Sequence, residues 1–135
     1  MAGLVSAVLL DTTFLIDLQR ELANGPVRGA VSFLDRHPES TTSISLISWM
    51  EFAEGYPDRQ EEDCRVFLAR FPLVLPEPGI AWQASRLSRQ LRGAGSPIGD
   101  HDTWIAATAL RRGLPLVTRN ARHFRRIRDL AILTY

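Results

Sequence analysis

No lysine occurs in these 135 residues; all 16 basic positions are arginine. A GC-rich coding bias accounts for the substitution, yet the absence still removes every mechanism that needs an ε-amino group. Nucleotide cradling by a P-loop, Schiff-base chemistry and the lysine-assisted chemistry of phospho-aspartate proteins are excluded. Cysteine is nearly missing as well. Cys64 stands alone, so there is no intrachain disulfide framework and no cysteine-based zinc site, and a reducing cytoplasm is the expected location. Histidine is scarce, and His37, His101 and His123 show no ligand spacing. Long apolar runs are also lacking: "MAGLVSAVLLD" has no basic leader and is cut short by Asp11. That stretch reads as a first strand; neither a signal peptide nor a membrane span is expected.

What is present suits an ordinary globular protein with one domain over 1–135. Hydrophobic residues make up 45% of the chain, enough for a core at this length without staples. The net charge of +1 hides an asymmetry: Arg111, Arg112, Arg119, Arg122, Arg125, Arg126 and Arg128 crowd the C-terminal stretch, where Asp129 is the only acid after Asp102. Such a patch suits a polyanion such as RNA, or else is a solvated helix face.

Strand-like and helix-like segments alternate along the chain. Strands are expected at 6–10, 42–45, 73–75, 115–118 and 131–134. Helices are expected at 13–22, 26–37, 46–55, 58–70, 80–91, 102–112 and 121–126, with Phe14, Ile16 and Leu18 near the core and 93–99 as a flexible connector. Breaks at Gly25-Pro26, His37-Pro38, Gly55, Pro57 and Gly113 punctuate the pattern. The strands are continuous apolar runs, as expected of strands covered on both faces. The fold class is therefore α/β, with a central, mostly parallel sheet of about five short strands. Ligands of such sheets sit beyond the carboxyl ends of the strands.

Polar residues gather at that edge. Asp11 ends the first strand, Asn120 follows the fourth in "LVTRN", and Asp102 opens a helix in "IGDHDTWIAATAL". Glu51 lies one turn into the helix after the second strand, among Trp49, Met50 and Phe52. Each has an ordinary structural role available: Asp11 or Thr12, Asp100 or Asp102, and Asn120 as caps or turn residues, and Glu51 as a solvent-facing residue. Together they are harder to dismiss, because like charges in one site raise each other's pKa. With no lysine available, an arginine could neutralise them, but only Arg20 and Arg119 are close in sequence; a hard divalent cation is the natural alternative, and three carboxylates plus an amide oxygen suit Mg²⁺.

These residues carry a resemblance. "LLDTTFLIDL", "SISLISWMEFAEGY" and above all "SPIGDHDTWIAATALRRGLPLVTRNARHFRRI" resemble, in order and over nearly the whole chain, the PIN-domain ribonucleases, and within them the VapC-type toxins of bacterial toxin–antitoxin pairs. The resemblance implies a three-layer α/β/α PIN domain and Mg²⁺-dependent cleavage of RNA, with Mn²⁺ able to substitute. Asp11, Glu51 and Asp102 match the metal-binding acids, and Thr118 matches the Ser/Thr of its turn. Asn120 stands where many relatives have aspartate, which points to one tightly held ion. Asp100 is a departure that either supplies the missing charge or caps its helix.

The expected chemistry is a metal-activated water, with Glu51 or Asp102 taking or orienting its proton. Arg119, Arg122, Arg125 and Arg126 are the candidate holders of the RNA backbone. Trp82, Trp104 and Phe124 are candidate stacking platforms, with core packing the expectation for each. The resemblance further implies a homodimer and a cognate VapB-type antitoxin that fills the acidic cleft, with a higher assembly of the two; the apolar residues of the first two helices are candidates for the dimer face. Two phospho-aspartate folds also place an aspartate after strand one, but both need a lysine, and Thr13 stands where one of them needs a second aspartate. The competing reading is a catalytically weak or inactive PIN scaffold that binds RNA or a protein partner, with Asn120 as the cause; metal binding discriminates.

Overall fold

A computed structural model describes residues 5–26 and 29–135. Five strands form one sheet in the order β3-β2-β1-β4-β5, with β1 at Ala7–Leu10, β2 at Thr41–Ser45, β3 at Leu73–Val74, β4 at Leu116–Val117 and β5 at Ile132–Leu133. Every strand pairing is parallel. Helices cover both faces, giving the expected three layers.

The apolar run of β1 shows why alternation was missing from the sequence. Val8, Leu9 and Leu10 are all fully buried, but on opposite faces. Val8 and Leu10 pack with Phe14, Leu15 and Leu18 of α1 (Thr12–Asn24), Phe33 of α2 (Gly29–Arg36), Phe52 of α3 (Leu46–Ala53) and Leu68 of α4 (Glu61–Leu68). Leu9 packs with Leu87 and Leu91 of α5 (Pro78–Gly93), Ile105 and Ala109 of α6 (Asp100–Arg112) and Phe124 of α7 (Ala121–Phe124). β4 divides in the same way, Leu116 to the second core and Val117 to the first. Burying each large apolar side chain contributes about 1.5–3 kcal/mol, so strand pairs of two residues are held by their covers more than by their ladders.

Several boundaries differ from the sequence expectation. The helix expected at 58–70 begins as a 3-10 turn at Asp58–Gln60 and becomes α4 only from Glu61. The helix expected from Ile80 starts at Pro78, because Glu77 accepts from the Gly79 and Ile80 amides and proline fits the first helical position. The second helix, expected over 26–37, is described from Gly29 to Arg36; positions 27 and 28 lie outside the described residues. The connector at 93–99 makes specific contacts: Ile98 is buried, and the Pro97 and Ile98 carbonyls accept from Arg126 and from His123, respectively.

Because β1 pairs with β2 on one side and β4 on the other, chain order reverses between β1 and β4. Their carboxyl ends flank the crevice where ligands of open α/β sheets bind. Asp11 lies at one lip and Thr118 at the other, joined by the bond from the Asp11 amide to the Val117 carbonyl at 2.9 Å.

Candidate active site

Asp11 is a helix cap placed at the mouth of that crevice. It is the N-cap of α1, its Oδ1 accepting from the Thr12 amide at 2.8 Å. Its Oδ2 accepts from Thr118 Oγ1 at 2.7 Å and Thr13 Oγ1 at 3.0 Å. The residue is only 3% exposed. Burial pushes its pKa above the usual aspartate value against the pull of these three donors, and the charge of Glu51 adds to the rise.

Glu51 arrives by a strand-to-helix junction with no loop. Ser45 ends β2 and caps α3, accepting from the Ser48 amide at 3.0 Å. The helix carries Glu51 back over α1, where Thr12 Oγ1 donates to its Oε1 at 2.6 Å. His101 Nδ1 lies 3.1 Å from its Oε2.

Asp102 sits in the first turn of α6, which starts two residues earlier than expected. Neither aspartate caps it. The N-cap is Gly99, whose φ of 93° is open to glycine but strained for other residues, and whose carbonyl accepts from the Thr103 amide at 3.0 Å and hydroxyl at 2.7 Å. Asp100 and Asp102 both face the positive end of the helix dipole as first-turn acids. Half-burial raises the Asp102 carboxyl, the Asp11 charge raises it further, Glu51 adds to this, and His123 pulls it back. His123 Nε2 is 2.9 Å from Asp102 Oδ2.

The charge of Glu51 acts on Asp11, and the charges of Asp11 and Glu51 act on Asp102, so three elements bring these carboxylates into one neighbourhood. Among the described residues no group of three or more acids, histidines or cysteines is gathered closely enough to hold a metal ion. The carboxylate oxygens are engaged instead by hydroxyls, an amide and two histidines. The donor set is hard oxygen, charged and partly desolvated, which fits a Mg²⁺-class ion that keeps several waters and uses few carboxylates. An open cleft of about 330 Å³ lies alongside, lined by Glu51, Ile98, Gly99, Asp100, His101 and Asp102.

The other candidates fall around this centre. Thr118 is fully buried and accepts from the Asn120 amide at 2.9 Å while donating to Asp11. Asn120 is exposed and opens α7 through its carbonyl, without a side-chain cap bond. Arg119 turns to Asp17, Nη1 to Oδ1 at 2.7 Å, and its amide donates to Thr13 Oγ1 at 3.2 Å. Asp17 also accepts from the Tyr135 hydroxyl at 2.6 Å. Arg126 donates to the Pro97 carbonyl at 3.2 Å, and Arg122 on α7 and Arg125 just after it are exposed.

Sequence reasoning missed Thr13, His101 and His123. The histidines were set aside because they lack metal-ligand spacing; the fold brings them to carboxylates far away in sequence, which no local pattern signals. The expectation of core packing fails for Trp82, which is 59% exposed with Arg86 4.4 Å over its ring, and holds for Phe124, which is fully buried. In the first two helices Phe14, Leu15, Leu18, Ala30 and Phe33 are buried in the core, while Leu22 of α1 is exposed; the other exposed large apolar side chains among the described residues are Leu46, Met50, Val66, Leu73, Leu75 and Trp82.

An acidic centre at the switch point of a five-stranded parallel sheet has a counterpart among known families: the PIN-domain family model matches residues 8–130. The chain belongs to the PIN-domain family. Its likeness within that family is to proteins of the VapC type. Ribonuclease VapC1 of Methanocaldococcus jannaschii is 30% identical over 131 residues, covering 96% of this chain and 88% of the relative. The tRNA(fMet)-specific endonuclease VapC of Salmonella typhimurium is 32% identical over 98 residues, covering 69% of this chain and 74% of the relative. Among solved structures, the DNA-bound VapBC of Salmonella typhimurium matches with a TM-score of 0.81 at 27% identity, covering 96% of this chain and 98% of that one.

Proposed function

We propose that this chain is a Mg²⁺-dependent endoribonuclease, with Mn²⁺ able to substitute, and the toxin half of a VapBC-type pair. The observation that carries the reading is the convergence of Asp11, Glu51 and Asp102, each from a different element, with burial and mutual repulsion raising the first and last. A cluster that disfavours its own charge is built for a cation. The VapC names of the relatives and the VapBC complexes among the structural neighbours support the substrate class and the partner.

Asp11, Glu51 and Asp102 would hold the ion, with Asn120 at the edge as a neutral oxygen donor. A bound divalent ion supplies electrostatic stabilisation to the phosphate and lowers the pKa of a coordinated water. The chain's own residues divide the remaining work by exposure. Asp11 is nearly inaccessible and takes three donors, so it is suited to hold position rather than accept a proton. Glu51 and Asp102 are partly exposed, at 25% and 32% of their side chains, and either can accept the proton of the attacking water. Arg122 and Arg125 can reach phosphates directly, whereas Arg119 and Arg126 must first leave Asp17 and Pro97.

The partners follow from the same reading: an RNA substrate, a VapB-type antitoxin covering the acidic cleft, and a homodimer within a higher assembly. Asp11→Asn and Asp102→Asn should each lower RNA cleavage at least a hundredfold while leaving circular dichroism and the melting transition cooperative. Wild-type cleavage by a well-folded Asp11→Asn protein would remove the site. Wild-type protein that binds RNA but neither metal nor cuts would favour an inert scaffold with Asn120 as its cause.

A further inference from the structure

Beyond the carboxylates, one side chain joins the acidic centre to the loop that carries it. His123 Nε2 lies 2.9 Å from Asp102 Oδ2 and 3.1 Å from the Ile98 carbonyl oxygen. Both neighbours are acceptors, so this nitrogen carries a hydrogen in either charge state of the ring. The ring itself is held edge-on by Phe124, at 5.3 Å between centroids, and Phe124 is fully buried in the core. Ile98 is anchored too, 6% exposed, and leads directly into Gly99, the N-cap of α6. His123 therefore spans from a rigid core aromatic to both the start of α6 and the carboxylate that α6 presents.

We infer that His123 is a positioning residue for Asp102: with its Nε2–H given to the Ile98 carbonyl, the ring edge holds Oδ2 by a close polar contact at 2.9 Å, so that the other carboxylate oxygen is offered to the divalent ion in a fixed direction. The inference rests on the metal-dependent reading above and goes further, assigning His123 a role that its spacing in the sequence does not reveal. An oriented carboxylate spares the ion the ordering of that ligand, and loss of such an outer partner typically weakens metal affinity about 10–100-fold. Arg126 provides an internal comparison. It holds the same loop through the Pro97 carbonyl at 3.2 Å, so losing it loosens the loop while the Asp102 contact stays.

The test is Mn²⁺ titration by calorimetry on wild type, His123→Leu, His123→Gln, Arg126→Ala and Asp102→Asn, with thermal melts alongside. His123→Leu should weaken Mn²⁺ at least tenfold, and high Mn²⁺ should restore its kcat on RNA with KM for RNA unchanged. His123→Gln places an amide N–H close to the position of Nε2 and should bind within about threefold of wild type; Arg126→Ala should bind as wild type does. Equal affinity for wild type and the leucine variant overturns the assignment, as does an equal loss in Arg126→Ala, which would make the role one of loop support. If the leucine variant does not fold, His123→Asn, whose amide stops short of Asp102, replaces it: weak binding there with rescue by glutamine supports the assignment, and equal binding by both amides overturns it. Wild type that binds Mn²⁺ no better than Asp102→Asn is a different result, and sinks the metal-dependent reading itself.

Discussion

At the scale of single residues, Asp11 and Asp102 of the proposed site are carboxylates whose charge the fold opposes. Asp11 and Asp102 both have pKa values raised chiefly by burial, so the folded state binds their protons more tightly than the unfolded chain does. Between the ordinary aspartate value of 3.8 and the raised one, stability falls as pH rises, and above the raised value the metal-free protein carries the full penalty. Asp102→Asn should therefore raise the melting temperature of the metal-free protein by a few degrees at pH 7. The gain should shrink as pH drops through the raised value, and saturating Mn²⁺ should reverse the order in favour of wild type. Differential scanning calorimetry across pH checks both signs; a fall at pH 7 would make Asp102 a structural residue. Thr118→Val is the opposite case. It leaves buried Asp11 Oδ2 short of a donor and the Asn120 amide without its acceptor, which should cost about 1–3 kcal/mol in urea denaturation.

At the scale of elements, the junctions place the chemistry. α3 follows β2 without a loop and α1 follows β1 with only Asp11 between them, so each acid is held by the geometry of a strand meeting a helix. α6 depends on Gly99 instead. An added methyl group would meet nothing within 4 Å there, but φ of 93° is costly for any side chain. Gly99→Ala should thus destabilise by about 1–2 kcal/mol through the backbone alone. Gly93 has equal space and ordinary φ at the end of α5, so Gly93→Ala should stabilise by up to about 1 kcal/mol. Chemical denaturation of the two variants side by side separates backbone strain from packing. Here the sequence was only partly legible. Asp11 and Asp102 could be read because the first interrupts an apolar strand and the second opens an alanine-rich helix. The start of α6 could not, since Asp100 and Asp102 are both good cap types while the cap is neither of them but Gly99, with its φ of 93°.

At the scale of the whole molecule, the alternation of elements was enough to foresee a parallel sheet with covers on both faces, because Val8, Leu9 and Leu10 are apolar regardless of which core they enter. What stayed hidden was everything set by distant pairing: His101 against Glu51, His123 against Asp102, and Arg119 turned to Asp17. That last pairing splits the basic patch. Arg122→Ala and Arg125→Ala should each reduce the salt dependence of RNA affinity by about one unit of slope with little change in melting temperature. Arg119→Ala should lower the melting temperature, since it leaves the Asp17 carboxylate, 14% exposed, without its cation.

The most direct test of the central claim, that the acidic centre cuts RNA with a divalent ion held by Asp11, is cleavage of total bacterial RNA. Purified wild type would be incubated with Mg²⁺ or Mn²⁺ and with EDTA, with the Asp11→Asn protein in parallel. Discrete fragments that require both the ion and Asp11 are expected. Discrete fragments that persist in EDTA, or that the folded Asp11→Asn protein also produces, would contradict it.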